Sequence, residues 1–133
     1  MLLPHAHLAL GGRLGDAAGA RAVLDYQPLD REAALLAQVG VADWGFHHVF
    51  TVRGPQHTKL LANVLTSDVQ GLLAGHAQAS LLLSAKGKVV GVLRLWRHDN
   101  EHLDLLVEAP CAAAVGHVLG RYAQVGKVPW EDR

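Results

Sequence analysis

The stretch from Ala77 to Glu108 constrains the fold of this chain more than any other. Three apolar runs, 77–84, 88–97 and 102–108, are separated by two short polar breaks, one carrying Gly87 and the other Asp99-Asn100. Apolar runs of this length, rich in β-branched residues and split by turn residues, predict two consecutive hairpins, an antiparallel β-meander. With a loop from His98 to Glu101, Arg97 pairs with His102, and counting back sets Gly91 opposite Glu108. A glycine inside a strand marks either a bulge or a place where something approaches the backbone closely. Two readings stay open: a bulge beside a solvated glutamate, or a gap beside a carboxylate.

A chain of 133 residues predicts one domain able to bury about two-thirds of its unfolded surface. Half of its residues are hydrophobic and 18% are charged, which favours a packed core over disorder. Lys plus Arg equals Asp plus Glu at 12 each, so nothing in the balance draws the chain to nucleic acid or anionic membrane. Cys111 is the single cysteine; it excludes an internal disulfide and suits a reducing compartment. The start, Met1-Leu2-Leu3-Pro4-His5, lacks the basic and apolar regions of a signal peptide, and no apolar run reaches membrane-spanning length. A cytoplasmic location is expected.

Residues 1–22, with Gly11-Gly12, Gly15 and Gly19, read as an irregular lead-in, and residues 23–133 as the domain. Ala22 to Tyr26 suggests a short strand, and Asp30 an N-cap for a helix to about Val39, stopped by Gly40. Val41 to Arg53, with Trp44, Phe46, Val49, Phe50 and Val52, reads as one long strand or two short ones. Gly54-Pro55 opens a helix near 55–66, with Pro55 at its first position and Leu60, Leu61, Val64 and Leu65 on one face. Pro110 starts another helix near 110–123, with Val115, Val118, Leu119 and Tyr122 on one side, and a further strand begins after Gly126. Strands and helices without βαβ alternation make the fold class α+β, with helices packed on one face of an antiparallel sheet. Leu60, Leu61, Val64, Val118 and Leu119 are the expected contacts between helices and sheet.

Nine histidines invite a metal hypothesis. The nearest groupings are His5-x-His7, His47-His48 and His98-x-x-x-His102. The last has helical i, i+4 spacing, but the turn-like Asp99-Asn100 lies between its members, and no Cys pair or His-Glu-x-x-His accompanies any of them. They read as scattered surface residues, and no metal site is assigned. Cys111 reads as a small buried hydrophobe, and no serine occupies a nucleophile elbow.

Several motifs then occur in a familiar order. Val52-x-Gly54-Pro55, Leu65-Thr66-Ser67-Asp68-Val69, Gly75, Ser84-Ala85-Lys86-Gly87-Lys88, Leu93-Arg94-Leu95-Trp96-Arg97, Tyr122-Ala123 and Lys127-Val128 together resemble the N-terminal folate-binding domain of the YgfZ and glycine-cleavage T-protein (aminomethyltransferase) superfamily. The resemblance covers about Gly40 to Asp132 and leans to the YgfZ branch. It implies a cavity for tetrahydrofolate lined by His47, Thr51, Val92 and Glu108, the carboxylate accepting hydrogen bonds from an aminopyrimidine edge. It also implies that Gly91 and Val92 stand where the transferase branch has two aspartates, so that aminomethyl transfer is lost and no catalytic residue is assigned. The implied role is that of an accessory protein linked to iron–sulfur cluster assembly or repair and tRNA modification, with iron–sulfur proteins as partners. The alternatives are an aminomethyltransferase-type one-carbon transferase and a truncated domain without independent activity. The family's later Lys-Gly-Cys-Tyr motif is not in this sequence. A pocket is therefore expected to have one wall here, or to be completed by a partner chain or self-association.

Overall fold

The computed structural model describes residues 3–17, 19–26, 30, 33–34, 37 and 47–133. These fall into two compact units, Met1–Phe46 and His47–Arg133. The helix expected from Asp30 to Val39 lies largely outside the described residues, as does the stretch from Gly40 through Trp44 to Phe46.

The first unit contains a short helix, α1 (Leu3–Ala9), and an antiparallel hairpin of β1 (Arg13–Ala17) and β2 (Ala20–Asp25). Residues 1–22, read from sequence as irregular, thus hold a helix, a strand and the start of a second. The apolar alternation of Arg-Leu-Gly-Asp-Ala is too weak to announce β1. Polar contacts supply what the pattern lacks. Gly19 takes a φ of +82° in the turn, and its N–H donates to the Asp16 carboxylate at 3.1 Å. Arg13 bonds Asp25 across the pair, and the His7 ring meets the Tyr26 hydroxyl.

The second unit is a five-stranded sheet with two helices. In chain order it runs β3 (His47–Arg53), α2 (His57–Ala62), β4 (Ala77–Leu83), β5 (Val89–Arg97), β6 (His102–Glu108), α3 (Ala109–Gly126) and β7 (Trp130–Asp132). The spatial order is β4-β5-β6-β3-β7, with every pairing antiparallel. The expected meander is present as β4-β5-β6, and the fold class is α+β. β3 lies between β6 and β7, a pairing of segments distant in sequence that local patterning does not encode.

The register of the second hairpin differs by one residue from the expected one. Arg97 pairs with Leu103, Leu95 with Leu105 and Leu93 with Val107, so Gly91 is not opposite Glu108. The cause is a loop of three residues instead of four. The N–H of His98 donates to the His102 carbonyl at 3.0 Å, and the Asp99 carboxylate tightens the loop by accepting the Glu101 N–H at 2.8 Å. A one-residue slip moves a strand's whole apolar set to the other face, so burial enforces this register. Nor is Gly91 the bulge: it pairs with Leu82, and the irregularity lies between Leu82 and Leu83, where Leu83 pairs with Val89. Glycine is needed at 91 because a Cβ there would stand 2.5 Å from Val115 Cγ2 and 3.5 Å from Cys111 Cβ. Helix α3 fills the space that the sequence suggested was open.

The core lies on the helix side of the sheet. Phe50 and Val52 of β3, Leu93 and Leu95 of β5, and Leu103, Leu105 and Val107 of β6 alternate toward it; Leu61 of α2 and Val115 and Leu119 of α3 close it. Of the expected helix contacts, Leu61 and Leu119 are fully buried, while Leu60, Val64 and Val118 are partly buried against the same cluster. Pro55 does not open α2. The chain turns through Gly54 at φ +87°, and the His57 ring and N–H both bond the Gly54 carbonyl, which starts the helix at His57. It stops early too, because Leu65 bridges to Leu82 and the Thr66 N–H donates to the Leu81 carbonyl. Pro110 does sit in the first turn of α3, and Lys127 closes that helix in the left-handed region at φ 53°.

Arg97 is a charged residue inside this core, 5% exposed. Its guanidinium donates to Thr58 Oγ1 at 3.0 Å and the Val69 carbonyl at 2.9 Å, and reaches His57 Nε2 at 3.4 Å. His57 donates through Nδ1 to the Gly54 carbonyl at 2.6 Å, which leaves Nε2 as the acceptor toward Arg97. The arginine thereby ties β5 to α2 and to the segment at Val69.

Candidate functional site

The sheet face opposite the helices carries the candidate site. Partners across a strand pair share a face, and side chains alternate along each strand. Because Phe50, Leu105 and Val107 point into the core, His47, Thr51, Asp104 and Glu108 point away from it. Val92 and Trp96 of β5, 54% and 48% exposed, stand on that same face.

At one end, His47 pairs directly with Glu108. One step beyond the pair Leu93 and Val107, the same register sets Val92 beside Glu108 on the other flank. Three of the four expected pocket residues, His47, Val92 and Glu108, therefore lie side by side on three adjacent strands. Glu108 is exposed and is the last residue of β6 before α3; its side chain makes no capping bond to that helix. The carboxylate is thus presented outward, next to an imidazole and an apolar side chain. Such a group accepts two parallel hydrogen bonds from a planar N–H-bearing edge, with the valine packing against the ring. Gly91, next to Val92 in the strand, is buried and faces α3 instead.

Thr51 lies further along and has no exposed surface. Its hydroxyl donates to Asp104 Oδ1 at 2.6 Å, so it supports Asp104 from below the surface. Asp104 is the centre of a second group that the sequence reading did not identify. His98 Nε2 lies 2.9 Å from Asp104 Oδ2 and His102 Nε2 lies 3.3 Å from Oδ1. The two imidazoles stack with centroids 4.2 Å apart. The i, i+4 spacing discounted as non-helical is the closing pair of a three-residue hairpin loop. That corrects the reading of His98 and His102 as scattered: turn chemistry at Asp99-Asn100 was the signal that brings them together.

Burial alone would raise the Asp104 carboxyl. The hydrogen bonds from Thr51 and His98 and the charges of His98 and His102 together outweigh it and hold the group below its ordinary value of 3.8. A depressed folded-state value contributes stability that is complete above the unfolded value and is lost as pH falls through the folded one. In metal-free buffer, acidification from about pH 5 toward pH 2 should therefore destabilise the wild-type chain more steeply than Asp104→Asn. Urea midpoints followed against pH test this; parallel curves for the two proteins would contradict it.

No family model matches the chain. Among curated proteins it is similar to the aminomethyltransferase of Chloroherpeton thalassium, 36% identical over 104 residues, covering 77% of this chain and 29% of that protein. The aminomethyltransferase of Thermus thermophilus is 35% identical over 108 residues, covering 80% of this chain and 31% of its own length. Among solved structures, the glycine cleavage system aminomethyltransferase T from Bartonella henselae superposes with a TM-score of 0.81 at 25% identity, over 100% of this chain and 37% of that one. The chain thus spans about a third or less of the curated proteins it matches. The motif order, the antiparallel meander with its helices, and these likenesses agree, and the chain belongs to the aminomethyltransferase, or glycine-cleavage T-protein, superfamily as a partial-chain domain.

Proposed function

We propose that the face carrying His47, Val92 and Glu108 binds the pterin of tetrahydrofolate, and that the protein acts as a YgfZ-type accessory factor without aminomethyl transfer. The observation carrying this reading is the alignment of these three residues across β3, β6 and β5, with an outward carboxylate at its centre. Val92 stands where the resemblance implies an aspartate in the transferase branch; lacking an ionisable group, it neither relays a proton nor stabilises developing charge. A cytoplasmic role in iron–sulfur cluster assembly or repair and tRNA modification goes with that branch, with iron–sulfur proteins as clients. A partner chain, or a second copy, would complete the pocket. No helix among the described residues is long and apolar enough to cross a membrane.

With these residues supplying one wall, the isolated chain should bind tetrahydrofolate weakly, with Kd on the order of 0.1–1 mM. Charge-assisted hydrogen bonds contribute about 1.5–3 kcal/mol, so Glu108→Gln should weaken binding roughly ten- to hundredfold. Ligand-observed NMR with tetrahydrofolate reads both values. Binding unchanged in Glu108→Gln would reject this pocket, and no binding at millimolar ligand would favour a domain without independent activity.

A further inference from the structure

The geometry points to a second site on this face: His98, His102 and Asp104 form a binding site for a divalent transition-metal ion of the zinc type that clasps the β5–β6 hairpin. It is separate from the residues proposed to meet a pterin and does not depend on that reading.

Two imidazole nitrogens and a carboxylate lie with donor atoms all within 4.8 Å of one another at the closed end of the β5–β6 hairpin. In a zinc site the ligand atoms lie about 2.0–2.2 Å from the metal, which sets them roughly 3–3.5 Å from each other. The two nitrogen-to-carboxylate distances here, 2.9 and 3.3 Å, already match that spacing. Both Nε2 atoms face the carboxylate, so the metal replaces protons now shared along those contacts. Imidazole and carboxylate without thiolate suit zinc, nickel, cobalt or copper(II), and disfavour the harder calcium and magnesium.

The surroundings fit a held ion. Thr51 bonds Asp104 from a neighbouring strand, the kind of outer contact that fixes a ligating carboxylate. Trp96 stacks on His98 at 5.8 Å and 9°, which restrains that ring. Arg53 pairs with His102 across the strands, but its guanidinium lies 3.7 Å from the Glu131 carboxylate, which offsets its repulsion of a cation. A depression of about 520 Å³ beside His102, reaching Asp99 and Glu101, gives ion and water an entrance. Three protein ligands leave a fourth position for water.

The 133-residue chain, stripped with chelator and titrated with zinc by calorimetry, should bind one equivalent at this site, and cobalt(II) should give a visible d–d band on the same stoichiometry. His98→Ala and His102→Ala should each weaken zinc at least about a hundredfold, and Thr51→Val about tenfold, as loss of an outer contact does. His48→Ala, on the opposite side of the sheet, should leave this binding unchanged. In the wild-type chain, NMR signals of the His98 and His102 ring protons should shift on zinc addition. No zinc binding at 1 mM, or binding that survives removal of both His98 and His102, would overturn the proposal and leave a hydrogen-bonded His-Asp-His cluster. Circular dichroism of each variant separates lost binding from lost fold.

Discussion

Phe50→Ala should lower the unfolding free energy by about 3–5 kcal/mol, the range for emptying a large aromatic site in a core. Phe50 is 1% exposed and lies midway along β3, the strand that joins the meander to β7. Its ring stacks on Trp130 of β7 with centroids 4.8 Å apart and planes 19° apart. Above it, α3 presents Gly116, where even a Cβ would stand 2.9 Å from Phe50 Cζ. Three elements thus meet on one ring, and backbone on one side and a large aromatic on the other limit how far the site can collapse. Collapse is what makes such truncations mild, so the upper part of the range is expected. Phe50→Leu keeps most of the volume and should cost clearly less. Urea unfolding with an unchanged slope gives the number; a loss under about 1.5 kcal/mol for the alanine variant would mean that β3 and α3 close over the gap.

The meander was legible because Leu93, Leu95, Leu103, Leu105 and Val107 alternate strictly, and its register was legible as well. Buried residues at odd positions on both strands require pairs such as Leu95 with Leu105, not Leu95 with Asp104. The loop was instead counted as four residues, and the Asp99 side chain that shortens it has no apolar signature. The place of β3 was a different matter. Nothing within 47–53 states that it inserts between 102–108 and 130–132, and only that insertion brings His47 to Glu108 and Thr51 to Asp104. The pocket residues were therefore named by family resemblance, while the His98–His102–Asp104 group, which has no motif, emerged from strand geometry. Arg97 illustrates the same limit. Its position in the alternation, two residues after Leu95, marks it as inward-facing, but its neutral partners at Thr58 and Val69 come from chain segments remote in sequence.

Aspartate placed at 91 or at 92, the pair that the family resemblance implies for the transferase branch, should have opposite consequences at the two positions. Gly91→Asp should destabilise the chain by about 2–6 kcal/mol: a Cβ 2.5 Å from the fully buried Val115 forces α3 to shift, at about 1–3 kcal/mol, and an unpaired buried carboxylate adds about 1–3 more. Val92→Asp should cost only about 1 kcal/mol, because Val92 is 54% exposed and the penalties are a poorer strand former and a like charge beside Glu108. Gly91→Ala, carrying the steric part alone, should fall between them. Chemical denaturation of the three variants measures the order. A Gly91→Asp chain as stable as Val92→Asp would show that α3 can withdraw from β5. The expected order instead assigns distinct work to neighbouring positions: 91 sets how closely the helix approaches the sheet, and of the two only 92 can present a side chain to the face that holds His47 and Glu108.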